Sequence, residues 1–181
     1  MELEILDWIQ SLRTPVGDVV MPLISRLGDA GIVWILMTLV LLLIPKTRKS
    51  GAIVAAALCV DVILCNGILK NLFCRVRPCD VSTDIQLLIA RPLDFSFPSG
   101  HTAASFASVT ALCLAGEKKL WKPGLVLAVL IAFSRMYLYV HYPTDILGGL
   151  AVGILSGFAG YLIVSRICAL VAAKRNQKEQ S

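Results

Sequence analysis

The chain has 181 residues, a length typical of a single domain, and 57% of them are hydrophobic, with a mean hydropathy of +0.78. This apolar fraction exceeds that of soluble domains and lies in blocks long enough to cross a bilayer, which excludes a soluble enzyme. The net charge of +5 does not indicate a nucleic-acid partner, because most basic residues lie in short loops between the blocks and in the tail.

Residues 1–28 are predicted to form an interfacial amphipathic segment. The acidic start, Glu2 and Glu4, is unlike a cleaved secretory signal. Apolar side chains recur at helical spacing before and after Pro15, which predicts two helices separated by that proline. Two roles stay open for these helices: capping the bundle, or helping lipid to enter.

Five apolar blocks predict an all-α, polytopic bundle of about five spanning helices over residues 29–173, several of them near the lower length limit. A basic cytoplasmic tail is expected over residues 174–181. The blocks are Gly31–Pro45, Gly51–Leu69, Thr102–Gly116, Gly124–Val140 and Ile146–Ala173.

The distribution of charge predicts the orientation of the bundle. Short cytoplasmic loops of membrane proteins are enriched in Lys and Arg, which assigns the connections around residues 46–49 and 117–122 and the tail to the cytoplasm. The loop over residues 70–98 and the segment over residues 141–145 then share the outer face of the cell membrane.

Three features inside or beside the blocks are less specific. Gly149, Gly153 and Gly157, spaced four apart, favour close helix packing inside the bundle over dimerisation, and the oligomeric state stays open. Asp61 is deep in the second block, where either a polar contact within the bundle or a role in binding or gating explains it. Two of the six cysteines, Cys74 and Cys79, lie in the same polar loop. They can form a disulfide only if that loop faces an oxidising compartment.

Three polar segments, over residues 70–78, 97–101 and 134–145, carry the groups suited to chemistry. Both histidines of the chain lie in them, together with Lys70, Arg77 and Arg135. Polar residues at a membrane boundary are costly unless they have a function. Three cations beside two histidines suit an oxyanion, because the guanidinium fork matches phosphate oxygens.

The neighbours of each histidine have a chemical use. Ser99 and Gly100 precede an apolar helix, whose N-terminal N–H groups bind anions readily, although an ordinary helix start explains this segment equally well. Asp145 lies four residues after His141, a spacing that lets a carboxylate orient an attacking imidazole.

These segments resemble the three-part signature of the type 2 phosphatidic acid phosphatase family, which includes lipid phosphate phosphatases and vanadium haloperoxidases. The first part is Lys, six residues, then Arg-Pro, here Lys70 to Pro78. The second is Pro-Ser-Gly-His, here Pro98 to His101, and the third is Ser-Arg, five residues, His, three residues, Asp, here Ser134 to Asp145. Every position is filled, over a core of roughly residues 60–160.

The resemblance implies catalytic roles for His141 as nucleophile, Asp145 as its orienting carboxylate, and His101 as acid and then base. It implies phosphate binding by five further residues of the signature, namely Lys70, Arg77, Ser99, Gly100 and Arg135. It implies no metal or other cofactor. Members of the family usually have six spanning helices, one more than the blocks predict here.

The resemblance also implies a phosphorylated lipid as substrate. Small members commonly act on undecaprenyl diphosphate at the outer leaflet, which is the expected activity, while phosphatidylglycerophosphate and phosphatidic acid stay open. Two other hypotheses also stay open: transfer of the phosphoryl group to an acceptor lipid, and a non-enzymatic anion transporter.

Overall fold

The structure is a computed structural model that describes residues 1–179, of which most are helical and none forms a strand. The predicted all-α class is therefore confirmed. Residues 180 and 181 of the predicted tail, and the side chain of Lys178, lie outside the described part. The helices are α1 (Glu2–Ser11), α2 (Pro15–Leu27), α3 (Ile32–Leu43), α4 (Arg48–Asp61), α5 (Lys70–Phe73), α6 (Pro78–Val81), α7 (Gly100–Leu114), α8 (Lys118–Tyr137) and α9 (Pro143–Glu179).

Each of the five apolar blocks forms a helix. The second block is the most unusual, because α4 continues through a π-helical segment, Val62–Leu69, into α5 without leaving the helical conformation. Asp61 is the last residue of α4, and Lys70 is the first of α5. A π-helical stretch widens the helix locally and often occurs at functional sites.

By length and composition, three helical stretches are able to cross a membrane: Arg48–Val81, Lys118–Tyr137 and Pro143–Gln177. A fourth span results if α2 and the helix after it form one broken span, bent by 44°. Helix α3 alone has only 12 residues, and α7 has 15. These helices therefore support three or four spans by this measure, where the apolar blocks predict five.

Helix α7 is the inner helix of the bundle and packs against α4, α8 and α9. Its small buried residues bring α9 close: a Cβ on Gly149 would lie 2.6 Å from the Ser99 carbonyl oxygen, and one on Gly153 would lie 2.5 Å from that of Ala103. The predicted packing role of the glycine stripe is thus satisfied within one chain.

The two N-terminal helices pack on one end of this bundle. Helix α1 ends before Thr14, whose hydroxyl caps α2. Pro15 is therefore the first residue of the second helix and does not itself separate the two helices. Helix α1 buries Leu6 and Ile9 against the end of α8, and Asp18 accepts a hydrogen bond from the Tyr137 hydroxyl at 2.8 Å. Their position at a membrane interface stays a prediction.

The three signature segments lie at the same end of the bundle as the N-terminal helices. The Ser99 N–H donates to the Asp145 carbonyl at 3.1 Å, and Arg77 donates to the Val140 carbonyl at 2.7 Å. At the opposite end, the Ser50 hydroxyl donates to Glu117 at 2.7 Å.

The cysteines of the polar loop, Cys74 and Cys79, are both free thiols.

The close contact between α7 and α9 gives the first prediction. We expect Gly153→Val to lower the free energy of unfolding by about 1–3 kcal/mol, because the new side chain would overlap the α7 backbone. The measurement is the thermal midpoint of the purified protein in detergent. The matched control is Ala151→Val on the exposed face of the same helix. Equal midpoints for the two variants would show that α9 does not need the close approach.

Candidate active site

His141 lies in the short segment between α8 and α9 and is only 1% exposed. Its Nδ1 is 3.4 Å from Oδ2 of Asp145, and its Nε2 is 3.2 Å from Nη1 of Arg77. A guanidinium is only a donor, so Nε2 must be the acceptor. The proton therefore sits on Nδ1, directed at the carboxylate, and the lone pair of Nε2 is directed towards a cation.

Asp145 is held rigidly enough to fix this tautomer. Its carboxylate, in the first turn of α9, accepts hydrogen bonds from Arg75 at 2.8 Å, from the Ser96 hydroxyl at 2.5 Å and from the Tyr142 N–H at 2.9 Å. The side chain is fully buried, and these donors compensate its loss of water. The predicted pairing of Asp145 with His141 is therefore present in the fold.

The protonation state of His141 also suits attack. Burial lowers the pKa of His141 to about 3; the hydrogen bond with Asp145 opposes this change, while the charges of Arg77 and Arg135 add to it. The imidazole is consequently neutral near pH 7, and its Nε2 lone pair, which accepts from Arg77 in this structure, can attack an electrophile once that hydrogen bond is released.

Lys70 and Arg77 meet at one carboxylate that the motifs did not predict, that of Asp94. Lys70 forms a short ion pair with Asp94 Oδ2, and Arg77 donates to Oδ1 at 2.7 Å. Both cations are buried, whereas Asp94 is about half exposed. Partial burial would raise the pKa of Asp94, but hydrogen bonds and charges from Lys70 and Arg77 outweigh it, and that pKa lies well below its usual range.

Ser99 caps α7 and Gly100 is its first residue, as predicted, but Ser99 is buried whereas Gly100 lines a cavity. The Ser99 hydroxyl caps the helix, 3.4 Å from the Thr102 N–H, and accepts from the Thr102 hydroxyl at 3.0 Å. It is fully buried in these contacts. Gly100 lines a cavity of about 250 Å³, where an added Cβ would lie 3.9 Å from Nζ of Lys70.

His101 and Arg135 occupy the other side of the site. His101 lines both the 250 Å³ cavity and a second cavity of about 410 Å³, which Arg135 also lines. The Nε2 of His101 is 2.8 Å from Oδ1 of Asp29, and Arg135 donates to the Ser25 hydroxyl at 2.5 Å. Nε of Arg135 is buried without a hydrogen-bond partner among the described residues, so its N–H group is free to donate to a ligand.

The eight predicted residues therefore converge on one end of the bundle without sharing one open cavity. Lys70, Gly100 and His101 line the first cavity, and Arg135 lines the second. His141, Arg77, Ser99 and Asp145 are buried around them.

Asp61 faces the first cavity and is 1% exposed. Its Oδ1 has no hydrogen-bond partner within the described chain, so the alternative of a satisfied polar contact inside the bundle does not hold for that oxygen. The carboxylate lies against the same space as Lys70 and His101, which favours the alternative of a role in binding.

Four contacts of this site were not predicted from the sequence: Arg75 and Ser96 on Asp145, Asp94 on the cations, and Asp29 on His101. Arg75 lies inside the first motif, which was a usable signal. Within residues 1–179, no group of three or more His, Cys, Asp or Glu side chains is placed to hold a metal ion.

Comparisons with known proteins agree on one family. The sequence profile of the PAP2 superfamily matches residues 49–168. An undecaprenyl-diphosphatase from Sulfolobus acidocaldarius is 32% identical over 133 residues, which is 74% of this chain and 64% of the relative, so this chain spans less than two thirds of that protein.

Two crystal structures have the same fold. Aquifex aeolicus LpxE superposes with a TM-score of 0.76 at 30% identity, over 88% of this chain and 93% of that one. A PAP2-type phosphatidylglycerolphosphate phosphatase from Bacillus subtilis superposes with a TM-score of 0.69 at 28% identity, over 93% of this chain and 84% of that one.

Because the carboxylate of Asp94 is bonded to both Lys70 and Arg77, an anion that binds these two cations has to displace it, which gives a second prediction. We expect Asp94→Asn to lower the Kd of inorganic phosphate by about tenfold, because the anion no longer displaces a bound carboxylate. The measurement is the rise of the thermal midpoint with phosphate concentration. Asp84→Asn, an exposed acid in the same loop, is the control and leaves this Kd unchanged. Weaker phosphate binding in Asp94→Asn would mean that Asp94 organises the cations and does not compete for them.

Proposed function

This chain belongs to the PAP2 superfamily, and we propose that it is an integral-membrane phosphatase that hydrolyses a phosphorylated lipid, with a polyprenyl diphosphate such as undecaprenyl diphosphate as substrate. The observation that carries the proposal is the arrangement of His141, whose Nδ1–H points at the buried Asp145 and whose Nε2 faces Arg77. A neutral imidazole with one nitrogen fixed and the other directed at a cation is suited to attack on a phosphorylated group.

In the first step, Nε2 of His141 attacks phosphorus while the phosphoryl oxygens displace Asp94 from Lys70 and Arg77. The N–P bond forms as the bond from phosphorus to the leaving oxygen breaks, and His101 gives that oxygen a proton. The hydrogen bond from Nδ1–H to Asp145 strengthens as positive charge develops on the ring, and the proton stays on Nδ1. Arg135 supplies a further cation for the equatorial oxygens.

In the second step, His101 takes a proton from a water molecule, whose oxygen attacks the phosphohistidine. The N–P bond breaks, inorganic phosphate leaves, and His141 returns to its neutral state. An acceptor lipid hydroxyl could replace the water without any change in these residues, which is the phosphotransfer alternative.

An apolar groove supports a substrate with a hydrocarbon chain. The groove, about 530 Å³, lies between α3 and α4, and its lining is almost wholly apolar. It shares Ile35, Leu58 and Val62 with the cavity that contains Lys70 and His101. A lipid tail in the groove would thus leave its phosphate beside the cations.

The head group is less constrained than the tail. Likeness to the undecaprenyl-diphosphatase supports a diphosphate, and likeness to the Bacillus subtilis enzyme supports phosphatidylglycerophosphate, while phosphatidic acid is the smallest candidate. The non-enzymatic alternative, an anion transporter, gives no use for the fixed tautomer of His141. The charge distribution of the loops supports placing the site at the outer leaflet.

The proposed activity predicts phosphate release from at least one of these three lipids by the purified protein in detergent, without added metal and in the presence of a chelator. We expect His141→Ala to lower this release by more than about 10³-fold, because the nucleophile is lost. Acid-quench trapping with ³²P-labelled substrate is expected to give a labelled protein that His141→Ala lacks.

Two results would contradict this proposal. Release that survives intact in His141→Ala would exclude the nucleophile, and strict dependence on magnesium would exclude this site chemistry. Discharge of the labelled protein by an added lipid, and not by water, would select the phosphotransferase alternative.

The groove gives a separate prediction. We expect Val62→Trp to lower kcat/KM for a long-chain lipid phosphate by about tenfold, because the indole fills the junction between groove and cavity. A short-chain phosphate, which does not need the groove, is expected to keep its kcat/KM. The control is Val126→Trp, an exposed position on α8 that does not line the groove. Equal losses for long and short chains would show that the tail lies elsewhere.

A further inference from the structure

The segment before residue 49 lies outside the family profile, yet it contacts the site at three places. Asp29 bonds His101, Ser25 accepts from Arg135, and Glu2 pairs with Arg75 at 2.5 Å. Each partner is either a signature residue or, in the case of Arg75, a direct partner of Asp145. The N-terminal segment is therefore part of the site.

The contact between Asp29 and His101 is the one of the three that involves a histidine. Asp29 begins a 3₁₀ turn, Asp29–Gly31, at the bend between α2 and α3. Gly28 precedes it, and a Cβ on Gly28 would lie 2.9 Å from Cδ2 of His101, so only glycine lets this turn come so near the imidazole. The bend thus brings the carboxylate to 2.8 Å from Nε2.

The two ring nitrogens of His101 differ in their hydrogen bonding within the described residues. Nε2 faces Asp29, whereas Nδ1 has no hydrogen-bond partner within residues 1–179. A proton held on Nε2 by the carboxylate leaves Nδ1 to exchange the proton that moves to and from substrate. This arrangement repeats that of His141 and Asp145 with the two nitrogens interchanged.

We propose that Asp29 is a positioning residue for His101, which orients its ring and stabilises the protonated imidazolium that donates to the leaving oxygen. The inference deepens the proposed function and rests on it for the role of His101. It adds a carboxylate from outside the family signature to the proton-transfer machinery.

The other charges around His101 make such a partner necessary. Burial lowers the pKa of His101 to about 4, the charges of Arg135 on α8 and Lys70 on α5 add to this change, and the hydrogen bond and charge of Asp29 oppose it. Asp61 and Asp94 share the first cavity, and Arg91 shares the second, but Asp29 is the carboxylate bonded directly to the ring. Removing it leaves the cations of Arg135 and Lys70 without a direct counter-charge at the imidazole.

The chain has only two histidines, so His101 can be observed directly. In a His141→Ala background, the single remaining imidazole signal in an NMR titration belongs to His101. We expect Asp29→Asn to move its titration midpoint about one pH unit lower, because the stabilising carboxylate is lost. Asp18→Asn, which removes a carboxylate from the same segment where it bonds Arg13 and Tyr137, is expected to leave the midpoint in place.

Activity in the His141-containing protein supplies the second readout. Phosphatidic acid and diacylglycerol diphosphate carry the same tail, but the first must expel an alkoxide and the second a phosphate. An acid catalyst matters more for the poorer leaving group. We expect Asp29→Asn to lower kcat for phosphatidic acid by about 10²-fold and for the diphosphate by severalfold at most, with Asp29→Glu restoring much of the loss.

The outcomes separate this inference from the proposed function. An unchanged midpoint in Asp29→Asn, or a shift equalled by Asp18→Asn, would overturn the inference whether or not the protein is a phosphatase. A lowered midpoint with equal losses of kcat on both lipids would overturn the role in proton donation. Intact activity of His141→Ala would instead overturn the proposed function, and the NMR result would stand without it.

Discussion

The burial of Lys70 and Arg77 at one end of the bundle is the constraint on which the site depends. Two cations removed from water need a counter-charge, and Asp94 supplies it by bonding both. The Arg77 guanidinium also faces Nε2 of His141, which places the imidazole proton on Nδ1, from which it is donated in a hydrogen bond to Asp145. In the proposed mechanism, this one buried arginine sets both where the phosphate oxygens bind and which nitrogen of His141 attacks.

The helices satisfy this constraint through close approach. Without side chains at Gly149 and Gly153, α9 lies against the α7 backbone, so that the Ser99 N–H reaches the Asp145 carbonyl. On the other side, the uninterrupted passage from α4 to α5 carries Lys70 to the same end. Helix α7, which packs against α4, α8 and α9, contributes small buried residues to this close approach.

The sequence was sufficient wherever the relevant distance is local or the pattern is periodic. The spacing of His141 and Asp145 is one helical turn, and the five apolar blocks are all helices. It was insufficient where partners come from distant segments, as with Asp94, 17 residues from Arg77, and Asp29, 72 residues from His101. The apolar blocks predict about five spans, whereas length and composition support three or four, because α3 and α7 have only 12 and 15 residues.

The N-terminal segment, although distant in sequence from the signature, contacts it at both histidine–carboxylate pairs. Glu2 bonds Arg75, which bonds Asp145, while Asp29 bonds the other histidine directly. In the proposed mechanism, His141 as nucleophile has its carboxylate within the signature, whereas His101 as acid has its carboxylate outside it. If both pairs are needed, residues 49–168 alone specify how phosphorus is attacked but not how the leaving oxygen is protonated. The bend at Gly28, an unremarkable turn in the sequence, is then the place where a general phosphatase framework acquires a complete proton-transfer path.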